Sequence, residues 1–116
     1  MIGRKINKNI VLLGIQHEVL KAEDLTLKEF KEKYTEEEQF YKGLYHVTTT
    51  KKAICLALKL GIDNSCRYKR KLEKAGKLVE STENFFCPIT DHKAKKLSTN
   101  PERFDLLLKT NQLKLF

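Results

Sequence analysis

Apolar and polar residues recur with helical periodicity near the start of the chain. Leu12, Ile15 and Val19 lie three and four positions apart, so one face of this segment is apolar. Asparagine is a residue type that caps helix starts. The pattern therefore predicts a first helix from Asn9 to about Ala22.

Two capping boxes follow, each with threonine at the N-cap and glutamate three positions later. They are Thr26-Leu27-Lys28-Glu29 and Thr35-Glu36-Glu37-Glu38. The first predicts a short helix to Tyr34. The second predicts a helix whose glutamates stabilise the positive end of the helix dipole, which we favour over a metal site. Gly43 is expected to end this helix and to lead into a short strand, Leu44–Thr48.

A largely apolar helix is predicted next, from Thr49 or Thr50 to Leu60. Gly61 has the position of a left-handed residue that ends a helix, and Ile62 would supply the hydrophobic contact that closes such a turn. A tight connection between two helices is therefore expected here.

The helix after this turn is expected to be capped by Asp63 or Asn64 and to run to about Ala75, with Gly76 at its end. Its charged residues are the most informative feature of the chain, as described below.

The last third of the sequence predicts a hairpin and a final helix. Lys77–Glu80 and Phe85–Cys87 have the composition of strands, and residues 81–84 would form the turn between them. Asn100-Pro101 combines an N-cap with proline at the first helical position. Residues 109–116 are expected to form a flexible tail.

These elements predict an α+β fold that is mostly helical, in a single domain over residues 1–108. With 116 residues, the chain is long enough for one hydrophobic core and too short for a multidomain enzyme. No apolar stretch approaches the roughly 20 residues that span a bilayer. Because no signal-peptide pattern is present and the three cysteines are an odd number, we expect a cytoplasmic protein with reduced thiols.

The net charge of +8 is concentrated in the second half of the chain. Residues 1–50 contain 8 basic and 8 acidic side chains, whereas residues 51–116 contain 15 basic and 7 acidic ones. The second half is therefore the candidate for binding a polyanion.

Four cations of the predicted helix 64–75 recur at positions i, i+3, i+4 and i+7, which puts them on one face. They are Arg67, Arg70, Lys71 and Lys74. The major groove of DNA admits a helix, supplies phosphates along both rims and offers guanine O6 and N7 to arginine. A solvated lysine-rich face is the alternative interpretation of such a run.

The order strand, helix, Gly-Ile turn, basic helix and hairpin resembles winged helix-turn-helix proteins. The passage Leu72-Glu73-Lys74-Ala75-Gly76-Lys77-Leu78-Val79 is similar to the one that closes their recognition helices. The resemblance covers a core of about residues 44–90. It implies a winged helix-turn-helix with extra N-terminal helices and a short C-terminal helix.

The same resemblance implies that the helix from Thr50 to Leu60 supports a recognition helix, Asn64–Ala75, which reads double-stranded DNA. The implied DNA-binding residues are Lys51, Lys52, Asn64, Arg67, Arg70, Lys71 and Lys74. Asn64, Arg67, Arg70 and Lys71 would lie nearest the bases.

The hairpin departs from the family pattern. Wings often carry basic residues at their tip, whereas here Glu80 and Glu83 flank the expected turn. Insertion of the wing into the groove is therefore not expected. Lys93, Lys95 and Lys96 are alternative sources of backbone contacts, unless they only solvate a loop.

The function expected from these features is duplex DNA binding in transcription regulation or DNA maintenance, with a mobile element as one setting and a homodimer as one assembly. RNA binding would use the same cations, but the exposed aromatic residues of a stacking platform are not evident.

The C-terminal residues Gln112-Leu113-Lys114-Leu115-Phe116 resemble the peptide by which bacterial replication and repair proteins bind the sliding clamp. The resemblance implies that Gln112 contacts the rim of the clamp pocket and that Leu115 and Phe116 fill its apolar cleft. An adaptor or inhibitor of a replication protein is therefore the alternative function. Docking of the tail onto its own domain is the competing structural interpretation.

Catalytic and metal-binding patterns are weak. Cys87 and His92 have suitable spacing, but no Cys-x₂₋₄-Cys pair accompanies them. His17 and His46 lack a nearby nucleophile pattern, and no glycine-rich phosphate loop occurs. We expect neither an enzyme nor a bound metal or cofactor.

Overall fold

The computed structural model describes residues 8–87, 89 and 92–114. Within these residues, six helices and one two-stranded antiparallel sheet follow one another along the chain. They are α1 (Lys8–Glu23), α2 (Leu27–Lys33), α3 (Glu36–His46), α4 (Lys51–Leu58), α5 (Ile62–Lys74), β1 (Val79–Phe86), β2 (Lys93–Ser98) and α6 (Pro101–Lys114). The predicted α+β class with mostly helical content is confirmed.

Both predicted capping boxes are present. The Thr26 hydroxyl accepts from the backbone N–H of Glu29 at 3.2 Å, and the Glu29 carboxylate accepts from the backbone N–H of Thr26 at 2.9 Å. Thr35 and Glu38 repeat the same pair of hydrogen bonds at the start of α3. These side chains satisfy backbone donors that a helix end leaves unpaired.

The starts of the other helices agree less uniformly with the predictions. Thr50 caps α4 by accepting from Ala53 N–H at 3.3 Å, so α4 follows the later of its two predicted starts, and it ends at Leu58 and not at the predicted Leu60. Asn100 accepts from Glu102 N–H at 3.0 Å ahead of Pro101. In contrast, α1 begins at Lys8, so Asn9 lies inside that helix instead of capping it.

The strand predicted at Leu44–Thr48 is wrong, because α3 continues through Gly43 to His46. Gly43 is buried against α4, and a Cβ atom added there would lie 2.6 Å from Leu58 Cδ1 and 2.9 Å from Ile54 Cδ1. The glycine therefore allows close helix packing and does not end the helix. Thr49, which follows the predicted strand, forms an isolated β-bridge with Leu97.

The turn between α4 and α5 also differs from the prediction. Lys59, not Gly61, is the left-handed residue, with φ of 59° and ψ of 50°. Gly61 has φ of −69° and is itself the N-cap of α5, so Asp63 and Asn64 lie within the first turn of that helix. The end of α5 agrees with the prediction, since Gly76 follows it with φ of +75°.

The hairpin is longer than predicted, and its turn lies elsewhere. Residues 81–84 belong to β1, and β1 pairs with β2, so the connection spans residues 87–92 instead. The pairing register of the two strands shifts between Glu80 and Asn84. In this segment, the Ser81 hydroxyl accepts a hydrogen bond from Lys96 N–H at 3.0 Å. At this β-bulge, the Ser81 hydroxyl accepts the hydrogen bond that a backbone carbonyl would accept in a regular ladder. The strand can therefore continue through residues 81–84, whose types are common in turns.

One hydrophobic core joins the helices to the sheet. Phe30, Phe40, Leu44, Ile54 and Leu58 are fully buried at its centre. A smaller cluster consists of Ala53, Cys87 and Ile89, the last two from the connection between the strands. Half-buried side chains of α1 pack against this cluster, namely Val11, Leu12 and Ile15. The N-terminal helix α1 is therefore part of the core and also contacts the hairpin.

The C-terminal helix packs on β1 and extends further than predicted. It ends at Lys114, so residues 109–114 are helical instead of lacking secondary structure, and Leu115 and Phe116 lie outside the described residues. The division into a domain of residues 1–108 and a separate tail stays a prediction.

Replacing Gly43 with alanine should destabilise the fold by about 1–3 kcal/mol, because the new methyl group would overlap Leu58 and Ile54. Gly14 in α1 is the matched control, since no described atom lies within 4 Å of the corresponding Cβ position. Gly14→Ala should raise stability by about 0.5–1 kcal/mol. Urea unfolding in dilute solution measures both changes, and equal stabilities for the two variants would contradict the packing role of Gly43.

Candidate nucleic-acid interface

The four predicted cations of α5 lie together on its solvent side. Arg67, Arg70, Lys71 and Lys74 are all exposed, and we call them the cationic face. Ser65 and Leu72 are buried on the opposite side of the helix, where Tyr68 is half-buried. The helical periodicity read from the sequence therefore orients α5 correctly.

The carboxylate of Glu36 holds α5 in this orientation. It accepts from the backbone N–H of Gly61 at 3.1 Å, from Asn64 Nδ2 at 3.2 Å and from the Tyr68 hydroxyl at 2.9 Å. The hydrogen bond from Gly61, followed by that from Tyr68, lowers the pKa of Glu36 below its ordinary value. Because α5 has no side-chain cap of its own, Glu36 caps it from α3.

Three of the four predicted base-reading side chains, Asn64, Arg67 and Lys71, are already engaged within the protein. Asn64 is half-buried, with its amide nitrogen on Glu36 and its amide oxygen accepting from Arg67 Nη2 at 2.8 Å. Lys71 Nζ lies 3.3 Å from Glu37 at the start of α3. Acidic residues of α3 thus offset part of the like-charge repulsion along α5.

The two lysines at the start of α4 have different surroundings. Lys52 is exposed, whereas Lys51 is half-buried and donates from Nζ to Cys66 Sγ at 2.8 Å. Both occupy the first turn of α4, which contains no acidic residue, so the charged side chains at this helix end are all positive and lie beside the positive end of the helix dipole.

A groove of about 250 Å³ separates the start of α4 from α5 and the hairpin. Lysines from three elements reach it. Lys69 is not among the predicted site residues, and the sequence indicates Lys95 only as an alternative source of backbone contacts. Lys69 pairs with Glu73 at 3.4 Å and with Glu80 at 3.3 Å, while Lys95 is exposed on β2. Only the tertiary structure brings Lys95 beside Lys51 and Lys52.

The hairpin lysines lie on a strand and not in a loop. Lys93 and Lys95 are exposed, and Lys96 Nζ lies 4.5 Å from the centroid of the Phe85 ring. Glu80 belongs to β1 and is paired with Lys69, so the acidic wing tip expected from the sequence is wrong. The exposed side of the hairpin carries cations next to the groove.

The residues of the clamp-binding prediction lie at or beyond the end of α6. Gln112 belongs to that helix, and Leu115 and Phe116 lie outside the described residues. The role of this tail stays a prediction.

The three cysteines differ in their surroundings. Cys55 is buried, and burial raises its pKa. Cys87 Sγ lies 3.1 Å from the Thr50 hydroxyl, and the Cys87 backbone N–H donates to the His92 carbonyl at 2.9 Å. Across the described residues, no group of three His, Cys, Asp or Glu side chains could hold a metal ion.

Comparison of the chain with protein-family models, curated proteins and solved structures finds no match. None of the helices in the described part of the chain has the length and apolar character that a membrane span requires.

Replacing Glu36 with glutamine should destabilise the protein by about 1 kcal/mol at pH 7, because the amide retains one acceptor oxygen and no charge. Since the folded-state pKa of Glu36 is lowered, its carboxylate contributes stability above the pKa of the unfolded chain and loses it as pH falls through the folded pKa. The difference from the parent protein should therefore shrink between about pH 5 and pH 3.

Glu32→Gln provides the control, since Glu32 is an exposed residue of α2. Denaturant melts across this pH range measure both variants. A Glu36→Gln effect that is constant with pH, or no larger than that of Glu32→Gln, would contradict the capping role.

Proposed function

We propose that the protein binds duplex DNA by inserting α5 into the major groove. The observation that carries this proposal is the cationic face, four exposed side chains on one side of a helix whose other side is buried and capped from α3. A helix presented in this way fits the width of the groove, and its cations can reach both phosphates and guanine edges.

The order of the neighbouring elements supports the same proposal. Residues 59–61 join α4 to α5, and a two-stranded hairpin follows directly. A short connection between a supporting helix and a recognition helix, followed by a hairpin, is the arrangement expected of a winged helix-turn-helix. We therefore propose this fold type for the part of the chain from α3 to β2.

Roles within the interface can be proposed from exposure and pairing. Arg70 and Lys74 are exposed on the cationic face and make no hydrogen bond or ion pair in the described structure, so we propose that they contact DNA directly. Lys52 and Lys95 flank the groove and would contact the phosphate backbone. Asn64 would position Arg67, because both ends of its amide are occupied.

The biological setting that we propose is transcription regulation or DNA maintenance. An exposed basic helix on a small domain suits a sequence reader, and the groove beside the hairpin adds contacts that do not depend on sequence.

Binding to duplex DNA should weaken steeply with salt. If about six cations contact phosphates, log K should fall against log[salt] with a slope near −5. Fluorescence anisotropy of a labelled random-sequence duplex, titrated at several salt concentrations, measures this slope. Binding that is independent of salt, or absent in dilute buffer, would reject the proposal.

Arginine and lysine variants should separate base contacts from phosphate contacts. Duplexes selected from a randomised pool should define a preferred site. Arg70→Ala should then cost about 1–3 kcal/mol and relax one base position. Lys52→Ala should weaken all sequences alike and reduce the salt slope by about 1.

Lys28, which is exposed on α2 and is not part of the cationic face, gives the charge-matched control. Lys28→Ala should leave both affinity and slope unchanged. If it weakens binding as much as Arg70→Ala does, the effect comes from net charge and not from α5.

A further inference from the structure

The groove between the start of α4, α5 and the hairpin is strongly cationic. Four lysines and one glutamate are the charged side chains that line it, so its lining carries a net charge of +3. The lysines are Lys51, Lys52, Lys69 and Lys95, from α4, α5 and β2. Like charges that converge in this way repel one another, so a bound anion would stabilise the arrangement.

Acidic side chains compensate one of these lysines and leave the other three. Lys69 Nζ lies 3.3 Å from the carboxylate of Glu80, which is the glutamate of the groove, and 3.4 Å from that of Glu73. The ion pairs between side chains that the structure describes do not include Lys51, Lys52 or Lys95. The charges of these three lysines are therefore available to a ligand.

Lys51 is held at the groove by a neighbour that is not a carboxylate. Its Nζ donates to Cys66 Sγ at 2.8 Å, and the residue is half-buried. An ammonium group has three donor hydrogens, so two remain for other acceptors. A side chain that is already positioned loses less conformational freedom on binding than a mobile one does.

The size and the apolar part of the groove suit a compact anionic group. Leu97 and Cys87 are buried and Ala94 is half-buried where they line it, so apolar atoms replace water on this side and charges interact more strongly. The volume of about 250 Å³ lies below the roughly 300–1,000 Å³ of pockets that enclose whole small ligands. The rest of such a ligand would therefore lie outside the groove.

A phosphate monoester matches the charge of the groove better than a phosphodiester does. A monoester carries a charge of about −1.5 to −2 at pH 7 and has three oxygens that are strong hydrogen-bond acceptors. A phosphodiester of a nucleic-acid backbone carries a single negative charge. Three lysines without acidic partners can each donate to one oxygen of a monoester, whereas a diester would compensate less of their charge.

We propose that the groove binds a phosphate monoester, with Lys51, Lys52 and Lys95 donating to its terminal oxygens. Such groups occur on phosphorylated small molecules and at the phosphorylated ends of nucleic-acid strands. The site does not depend on the proposed function, because it requires no contact between α5 and duplex DNA. When duplex DNA is present, a monoester would compete with the backbone phosphates proposed for Lys52 and Lys95.

Nuclear magnetic resonance of the isotope-labelled full chain tests the proposal without DNA. Titration with methyl phosphate near pH 7, at constant ionic strength, should shift the amide signals of residues 50–52 and 94–95 with one common dissociation constant. A ligand of so few atoms should bind in the millimolar range. Dimethyl phosphate, the corresponding diester, should bind about 5-fold more weakly or not at all, because it carries one negative charge.

Lysine variants locate the site within the chain. Lys52→Ala and Lys95→Ala should each raise the dissociation constant for methyl phosphate about 5-fold, because each removes a charged donor. Lys77→Ala is the charge-matched control, since Lys77 is exposed and does not line the groove. It should leave the dissociation constant unchanged. All three variants replace exposed side chains, so the signals of core residues should keep their positions.

A short single strand with a 5′-phosphate, compared with the same strand ending in a 5′-hydroxyl, separates the two sources of the monoester. If the phosphorylated strand displaces methyl phosphate and the hydroxyl strand does not, the site accepts strand ends. If neither strand displaces it, the site accepts phosphorylated small molecules. Displacement by both strands alike would contradict the preference for a monoester.

Other results would also overturn the proposal. They are equal binding of methyl phosphate and dimethyl phosphate, the same shifts with sodium chloride at equal ionic strength, and no response of the groove at tens of millimolar. Equal effects of Lys77→Ala and Lys95→Ala would do so too, since net charge would then explain the binding. A protein that binds methyl phosphate but no duplex would reject the proposed function and leave this inference standing, and the reverse result would do the opposite.

Discussion

The position of α5 depends on one carboxylate that belongs to a different helix. Glu36 lies in the first turn of α3, and it also accepts the backbone N–H of Gly61 at the start of α5. It therefore sits near the positive ends of two helix dipoles, both of which favour its charge. Its further bonds to Asn64 and Tyr68 fix the rotation of α5 about its axis. Everything proposed for the exposed side of α5 follows from that rotation.

The same arrangement distributes charge unevenly along α5. Glu37 lies beside Lys71, and Glu73 and Glu80 pair with Lys69. These exposed pairs contribute little stability individually, because water and salt screen them. Their effect is on the electrostatic field around the helix, since they partly neutralise Lys69 and Lys71 and leave Arg70 and Lys74 without an acidic partner among the described residues. The positive potential that a polyanion would meet on α5 is therefore strongest at Arg70 and Lys74.

Local features were predictable from the sequence, whereas features set by distant neighbours were not. The capping box at Thr35 depends on residues three positions apart, so its prediction is confirmed. The sequence predicts that Gly43 ends α3, which is wrong because the glycine instead allows the close approach of Leu58, and no local pattern reveals that contact. Propensity favours Gly61 as the left-handed residue of the turn, but Lys59 adopts this conformation. The cationic face was found because it is periodic, while Lys95 joins the groove only through strand pairing.

The bulge in β1 affects how the sheet behaves towards other polypeptides. A two-stranded sheet has two free edges, and unpaired backbone groups on such edges invite strands from other molecules. Here α6 packs on β1, the bulge interrupts its ladder, and β2 carries exposed lysines while Leu97 donates its N–H to Thr49. Each of these devices disfavours the addition of a further strand. A basic protein with such protected edges should resist cross-β aggregation at the high local concentrations that accumulate along a polyanion.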